Sequence, residues 1–318
     1  MKVVIWGCRG SLPVSNNYHH TRKKVRAALE AALAKGLRPG ADIDAFIDNE
    51  LPVSVWGSYG SNTCCVQFDT GHDEYIVMDC GSGLRDLGNH VMATRGPKPA
   101  VFNIFMTHLH WDHLMGFPFF VPAYIPGNRI NFFGVHDQVE QALRTQQSQP
   151  YFPVDFDLLG ADITFTTIEP DTPIQVAGAE VMAREQDHPG RSYGYKVTQD
   201  GKTAILSTDC EHRADAQDDD YHFIEFFRDA DLLIFDAQYT FEAANTAKED
   251  WGHSSNVIGV ELAKRSGVKT LCLFHQEPTL EDDDLEKFLD DTRRYAALFH
   301  DDTPLDVIMA FDRMEYEL

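Results

Sequence analysis

The sequence predicts an α/β fold in one compact domain spanning residues 1–318. Short apolar runs of strand length recur at 3–6, 101–106, 202–207, 231–235 and 270–274, several ending in a single Asp or His. Segments of helical period lie between or after them, at 21–35, 137–146, 252–266 and 280–299. No internal repeat and no low-complexity linker divides the chain.

Taken in order, the first strand breaks at Gly7, and Gly7-Cys8-Arg9-Gly10-Ser11 turns tightly. Residues 21–35 read as a helix because Val25, Leu29 and Leu33 recur every four positions and Gly36 ends it. Its first turns hold Arg22, Lys23, Lys24 and Arg26, the densest basic cluster of the chain. Residues 42–51 give a second short helix closed by Pro52. The segment 16–52 reads as a helical insertion, either a surface or dimer contact or a lid whose cations meet an anionic substrate. Strands at 64–69 and 75–78 make a hairpin around Gly71, ending in the corner Asp79-Cys80-Gly81-Ser82-Gly83. That corner lacks dinucleotide-fingerprint spacing. Asp79 either supports a metal centre from behind or caps the turn. Later strands are expected at 129–133, 163–167, around Val181, and at 305–310 as the last. Ser254 or Ser255 is the expected N-cap of the helix that runs to Ser266.

The strongest signal is Thr107-His108-Leu109-His110-Trp111-Asp112-His113, directly after an apolar strand. In extended backbone alternate side chains share a face, so His108, His110 and Asp112 converge, and His113 joins them only where the chain bends. Asp209, His275 and His188 stand past the ends of other strands, the edge where α/β proteins build sites. Together they make two ligand sets: His108, His110 and His188 for one ion, Asp112, His113 and His275 for the other, with Asp209 bridging. Nitrogen and oxygen donors without thiolate fit two divalent ions, Zn2+ first, with Mn2+ or Fe2+ as alternatives.

The formal net charge is −23 and the pI about 4.8. Such a surface opposes phosphate backbones, so the expectation is a small phosphodiester substrate, with polymeric nucleic acid an unlikely partner. The six cysteines are scattered, with no C-x-x-C pair, and several lie in apolar runs, which fits a reducing cytoplasm. The sequence does not open on an export-type segment, and no apolar run reaches membrane-spanning length, so no membrane partner is expected.

The histidine run, Asp209 and His275 together resemble the metallo-β-lactamase superfamily. Gly-Ser-Asn-Thr-Cys at 60–64, Asp79-Cys80-Gly81-Ser82-Gly83, His188-Pro189-Gly190-Arg191-Ser192-Tyr193, Asp236-Ala237-Gln238-Tyr239 and Gly252-His253-Ser254-Ser255 narrow the likeness. They resemble its phosphodiesterase branch, which holds tRNase Z, phosphoribosyl 1,2-cyclic phosphodiesterases and cyclic-nucleotide phosphodiesterases. The resemblance implies a four-layer αββα sandwich, the ligand roles above, and a homodimer. It implies hydrolysis of a small, cyclic phosphodiester by water acidified between two ions, with a tRNase Z-like endoribonuclease processing tRNA 3′ ends as the alternative. The sequence departs from relatives at Gln276 and Glu277, and it has no glycine-proline-rich arm of the tRNase Z kind.

The catalytic set expected from this is His253 as proton donor, Asp112 among the metal-side carboxylates, and Glu211 to orient His253. His253 also reads simply as a helix-start residue bonded to backbone. Arg9 and Arg191 are the loop cations expected to receive the phosphate, unless they are surface residues.

Overall fold

The computed structural model describes residues 1–96, 98–299 and 304–318. Among them two seven-stranded sheets face one another. The first runs, in spatial order, Met314–Glu317, Lys2–Gly7, Cys65–Asp69, Tyr75–Met78, Val101–Met106, Arg129–Gly134 and Asp162–Thr167. The second runs Asp306–Met309, Thr270–Phe274, Leu232–Asp236, Lys202–Ser207, Ser192–Gln199, Ala179–Gln186 and Ile174–Val176. In each sheet the run that carries the site is parallel: Tyr75–Met78 through Asp162–Thr167 in one, Lys202–Ser207 through Asp306–Met309 in the other. Parallel neighbours place the C-terminal ends of their strands on one edge, which is where Thr107, Asp209 and His275 leave the sheets.

Strand alternation builds the layers. Val3, Ile5, Phe68, Ile76 and Phe105 meet Val181, Tyr195, Leu206, Ile234 and Phe274 between the sheets. Val4, Trp6, Val77, Phe102 and Ile104 turn outward against Leu84, Leu87 and Val91 of the helix Gly83–Arg95. Ile205, Leu233, Phe235 and Leu273 turn the other way, against Phe223, Val260, Leu262 and Leu285 of the helices on the second sheet. The result is the expected αββα sandwich.

Three strands were not legible beforehand. Ser192–Gln199 and Ile174–Val176 are two of them. The third is Met314–Glu317, which pairs antiparallel with Lys2–Gly7, so the last strand is this one and not 305–310. The helix Tyr18–Ala34 begins three residues earlier than expected, capped by the Asn17 side chain. Its apolar periodicity is real but faces solvent: Val25, Leu29 and Leu33 are exposed and the helix buries no residue. Lys23 pairs with Glu281 and Asp283, and Lys24 with Asp282, at the start of the helix Asp282–Ala296. Those cations therefore pin the insertion to acidic residues at one end of the protein's own helix. No helix among the described residues is long and apolar enough to cross a membrane.

The ligand-bearing turn is tied to the Asp79–Gly83 corner by backbone bonds. Cys80 N–H donates to His113 O at 2.8 Å, and Gly116 N–H to Cys80 O at 2.8 Å. The segments meet so closely that a Cβ on Gly116 would lie 1.9 Å from the Gly81 carbonyl oxygen. Gly116→Ala must push the corner away from the turn. It is expected to cost about 1–3 kcal/mol of stability by urea unfolding and to weaken divalent-ion uptake measured by chelator competition.

Candidate metal centre

The Val101–Met106 strand delivers Thr107, where the chain first bends, and His108; His110 is extended, and a helical turn that begins at Trp111 bends the chain again. That bend carries His113 back toward the other donors. Asp79, Asp209 and His275 each sit just past a strand end with positive φ, at 63°, 54° and 60°. Asp is one of the residues that best tolerate this region, His another, and such strain collects at functional sites.

Asp209 divides the cluster. Its Oδ2 lies 3.7 Å from His108 Nε2 and 3.8 Å from His188 Nε2. Its Oδ1 lies 3.3 Å from both His113 Nε2 and His275 Nε2. His110 Nδ1 approaches His188 Nε2 at 3.1 Å, completing the first set. Asp112 Oδ2 lies 3.4 Å from His113 Nε2 and from His275 Nε2, completing the second. The structure thus gathers all seven expected ligand residues, in the two groups His108/His110/His188 and Asp112/His113/Asp209/His275. Two ligands held at about 2.0–2.1 Å on a tetrahedral ion stand about 3.3 Å apart, close to these separations.

The protonation of the rings is set from behind. Carboxylates and carbonyls only accept, so His113 Nδ1 donates to Asp79 Oδ2 at 2.7 Å and His188 Nδ1 to Gly252 O at 2.8 Å. Thr107 Oγ1 donates to Asp79 Oδ2 and so accepts from His108 Nδ1 at 3.1 Å. With Nδ1 committed in this way, each of these rings turns its Nε2 inward. His108 Nε2, His113 Nε2 and His275 Nε2 are buried without a hydrogen-bond partner, a costly arrangement that a cation in each pocket relieves. The donor set therefore fits divalent ions. Asp79 is the support from behind, not a turn cap.

His253 lies beside this cluster, its ring stacked on His275 at 5.0 Å and edge-on to His188 at 5.1 Å. Its Nδ1 donates to Asp236 Oδ2 at 2.8 Å. The orienting carboxylate expected at Glu211 is therefore Asp236. Glu211 instead accepts from Asp250 N–H and Gly252 N–H, shaping the loop whose Gly252 carbonyl holds His188. Asp236 ends an apolar strand as Asp209 does, and that shared position was the available signal. Ser11 N–H, which donates to Asp112 Oδ2 at 2.8 Å, left no sequence signal at all.

Arg9 is not at the substrate side. Its guanidinium is buried, donating to the carbonyls of Gly60, Glu277 and Leu280 and facing Asp282 at 3.8 Å. It braces the loop that follows His275, and a short loop between glycines could not reveal that. Arg191 stays exposed on the rim of a cavity of about 440 Å³ that it shares with His188, Glu211 and Arg213. Gln276 is buried and donates to Ala310 O at 2.9 Å, a structural contact.

Burial pushes the His275 pKa down, but Asp209 and the bond to Asp112 outweigh it and hold it at about 9. In the metal-free protein that proton stabilises the fold fully below pH 6.5, the ordinary imidazole value, and the benefit fades as pH rises through about 9. Ion binding must displace it. Affinity is therefore expected to rise with pH toward about 9, with proton release at pH 7 seen by calorimetry in buffers of different ionisation enthalpy. Asp79→Asn, which loses an acceptor for His113 and Thr107, is expected to lower divalent-ion affinity about 10–100-fold in chelator competition.

The family description "Beta-lactamase superfamily domain" matches residues 74–276. A ribonuclease Z of Thermoplasma acidophilum is 26% identical over 283 residues, covering 77% of this chain and 88% of that protein. The metallo-beta-lactamase fold protein YhfI from Bacillus subtilis superposes with a TM-score of 0.64 at 18% identity, covering 100% of this chain and 98% of that one. The short form of human tRNase Z superposes with a TM-score of 0.59 at 18% identity, covering 100% and 99%. The expectation that polymeric nucleic acid is an unlikely partner does not stand against relatives that are ribonucleases. Net charge is a global sum, and salt screens exposed charges beyond about 8–10 Å, so it does not decide what a cleft admits. The chain belongs to the metallo-β-lactamase superfamily and is a metal-dependent hydrolase of its phosphodiester-cleaving kind.

Proposed function

We propose that this protein is a phosphodiesterase that cuts RNA in the manner of ribonuclease Z, with two zinc ions held by His108, His110 and His188 and by Asp112, His113 and His275. The observation that carries the reading is Asp209, whose two oxygens face separate nitrogen sets beside the His253–Asp236 pair. The curated relatives support RNA as the substrate. Manganese or iron would suit the same donors. Six free, buried cysteines support a reducing, cytoplasmic setting. The two sheets supply ligands to one site, which supports a single working unit with 16–52 as its insertion.

Two bound divalent ions would supply charge neutralisation at the phosphate and an acidified water as nucleophile. The chain supplies the rest. Asp236 fixes the His253 ring with Nδ1 as donor, so Nε2 is the atom that delivers a proton. As the P–O bond to the leaving group breaks, that oxygen takes the Nε2 proton, and Asp236 steadies the imidazolium beforehand. Arg191, exposed and held only by a long ion pair to Glu185 at 3.8 Å, can turn to meet a phosphate oxygen at the rim.

A second reading, hydrolysis of a small cyclic phosphodiester, is favoured by the cavity beside His188, whose volume of about 440 Å³ lies in the small-ligand range. One screen separates the two. Metal-loaded protein is assayed against precursor tRNA, 2′,3′- and 3′,5′-cyclic nucleotides, phosphoribosyl cyclic phosphate and bis(p-nitrophenyl) phosphate. Cleavage of precursor tRNA with the highest kcat/KM is expected; turnover of the cyclic diesters alone reverses the order. His253→Ala is expected to lower kcat by about 10²–10⁴ while leaving metal content unchanged. Asp209→Ala is expected to lose both activity and bound metal.

A further inference from the structure

The rim of the metal centre is richer in exposed aromatic and apolar surface than in free cations. Trp111 lies inside the ligand run, between His110 and Asp112, and is 83% exposed. It opens the turn Trp111–Leu114, whose other three residues are buried. No aromatic ring packs against it among the described residues. Its neighbour His110 is in contact with His188, and His188 in turn bonds the carbonyl of Gly252. Trp251, the residue before that glycine, is also more than half exposed, with Lys248 Nζ 3.8 Å from its ring centroid. Leu12, likewise exposed, follows Ser11, whose N–H meets Asp112. Three large side chains thus stand one residue from groups that touch the ligand set.

The cations nearby are mostly spent. Arg213 pairs with Asp187 and Asp250, and Arg9 is buried under the loop after His275. With these cations paired or buried, the rim has little to gain from the counterion release that drives most nucleic-acid affinity. A nucleobase offers an uncharged π-face instead, and an exposed indole is a suitable surface for it.

We propose that Trp111 is a stacking platform for an unpaired nucleobase beside the scissile phosphate, so that the substrate is a single-stranded RNA segment held by its bases more than by its phosphates. This rests on the phosphodiesterase reading above. The site recognises the base by its ring and not by its hydrogen-bonding edge, which makes it tolerant of sequence.

The test is binding by metal-loaded wild type, Trp111→Ala and Trp111→Phe, read by fluorescence anisotropy. The probe is an unstructured RNA hexamer whose methylphosphonate linkages resist hydrolysis, compared with the same hexamer lacking its central bases. Wild type is expected to bind the base-bearing probe about tenfold more tightly, the order of one base–aromatic stack. That ratio is expected to fall to near one in Trp111→Ala and to persist largely in Trp111→Phe, with equal melting temperatures for all three proteins. A wild-type ratio near one, an unchanged ratio in Trp111→Ala, or an equal loss in Trp111→Phe overturns the proposal. Because the probe is not turned over, failure of the phosphodiesterase reading would show separately, as no cleavage of any diester.

Discussion

Three carboxylates, Asp79, Asp112 and Asp209, are buried in one cavity with imidazole nitrogens that have no donor to meet. Removing each such charge from water costs several kcal/mol after relaxation, so the cavity requires positive charge inside it. Without metal, protons on the rings supply part of it, which is why His113 and His275 are held above the ordinary imidazole range despite burial. With metal, the ions supply it directly. The rest of the fold serves this constraint, since the sandwich keeps water out while its sheet edges deliver the donors.

The delivery depends on topology. Parallel strands in both sheets end on one side, and the chain turns left-handed there at Asp79, Asp209 and His275. A left-handed residue reverses the backbone within one position and aims its side chain across the strand end. The same device recurs three times because one physical problem recurs: placing a ligand atom within about 2 Å of a fixed point at the end of a rigid strand. Asp79 then acts on two rings at once, directly on His113 and through Thr107 on His108.

Much of this was legible in the sequence, and the reasons differ by residue. The His108–His113 run is local, so spacing alone places its donors, and Asp209 and His275 share a strand-end position that spacing also marks. Residues acting through backbone left little trace: Gly252 offers a carbonyl and Ser11 an N–H, and any residue type has both. Glu211 and Asp236 are both acids near a strand end or turn, and only the fold decides which reaches His253. Arg9 was misread because a loop cation near ligands looks the same whether it faces the cleft or the core. The strand Met314–Glu317 alternates partly buried and exposed residues, Met and Tyr against Glu, as an edge strand does, and is too short to stand out. The 16–52 helix was correctly periodic, yet its apolar face is outward; periodicity gives a face and not its partner.

The two ligand sets also differ in depth, and this orders the chemistry. Asp112, His113, Asp209 and His275 are all at most 7% exposed, whereas His110 of the first set is open to solvent. A substrate therefore meets the His110/His188 side first, where Trp111 and Arg191 also stand. His253 reaches that side as well, since its ring lies as close to His188 as to His275. Asp209 faces both sets, Oδ2 toward His108 and His188 and Oδ1 toward His113 and His275. One pocket would thus hold an ion in place and the other would share one with what arrives, and the rim residues around the open pocket are where differences in substrate choice would be written.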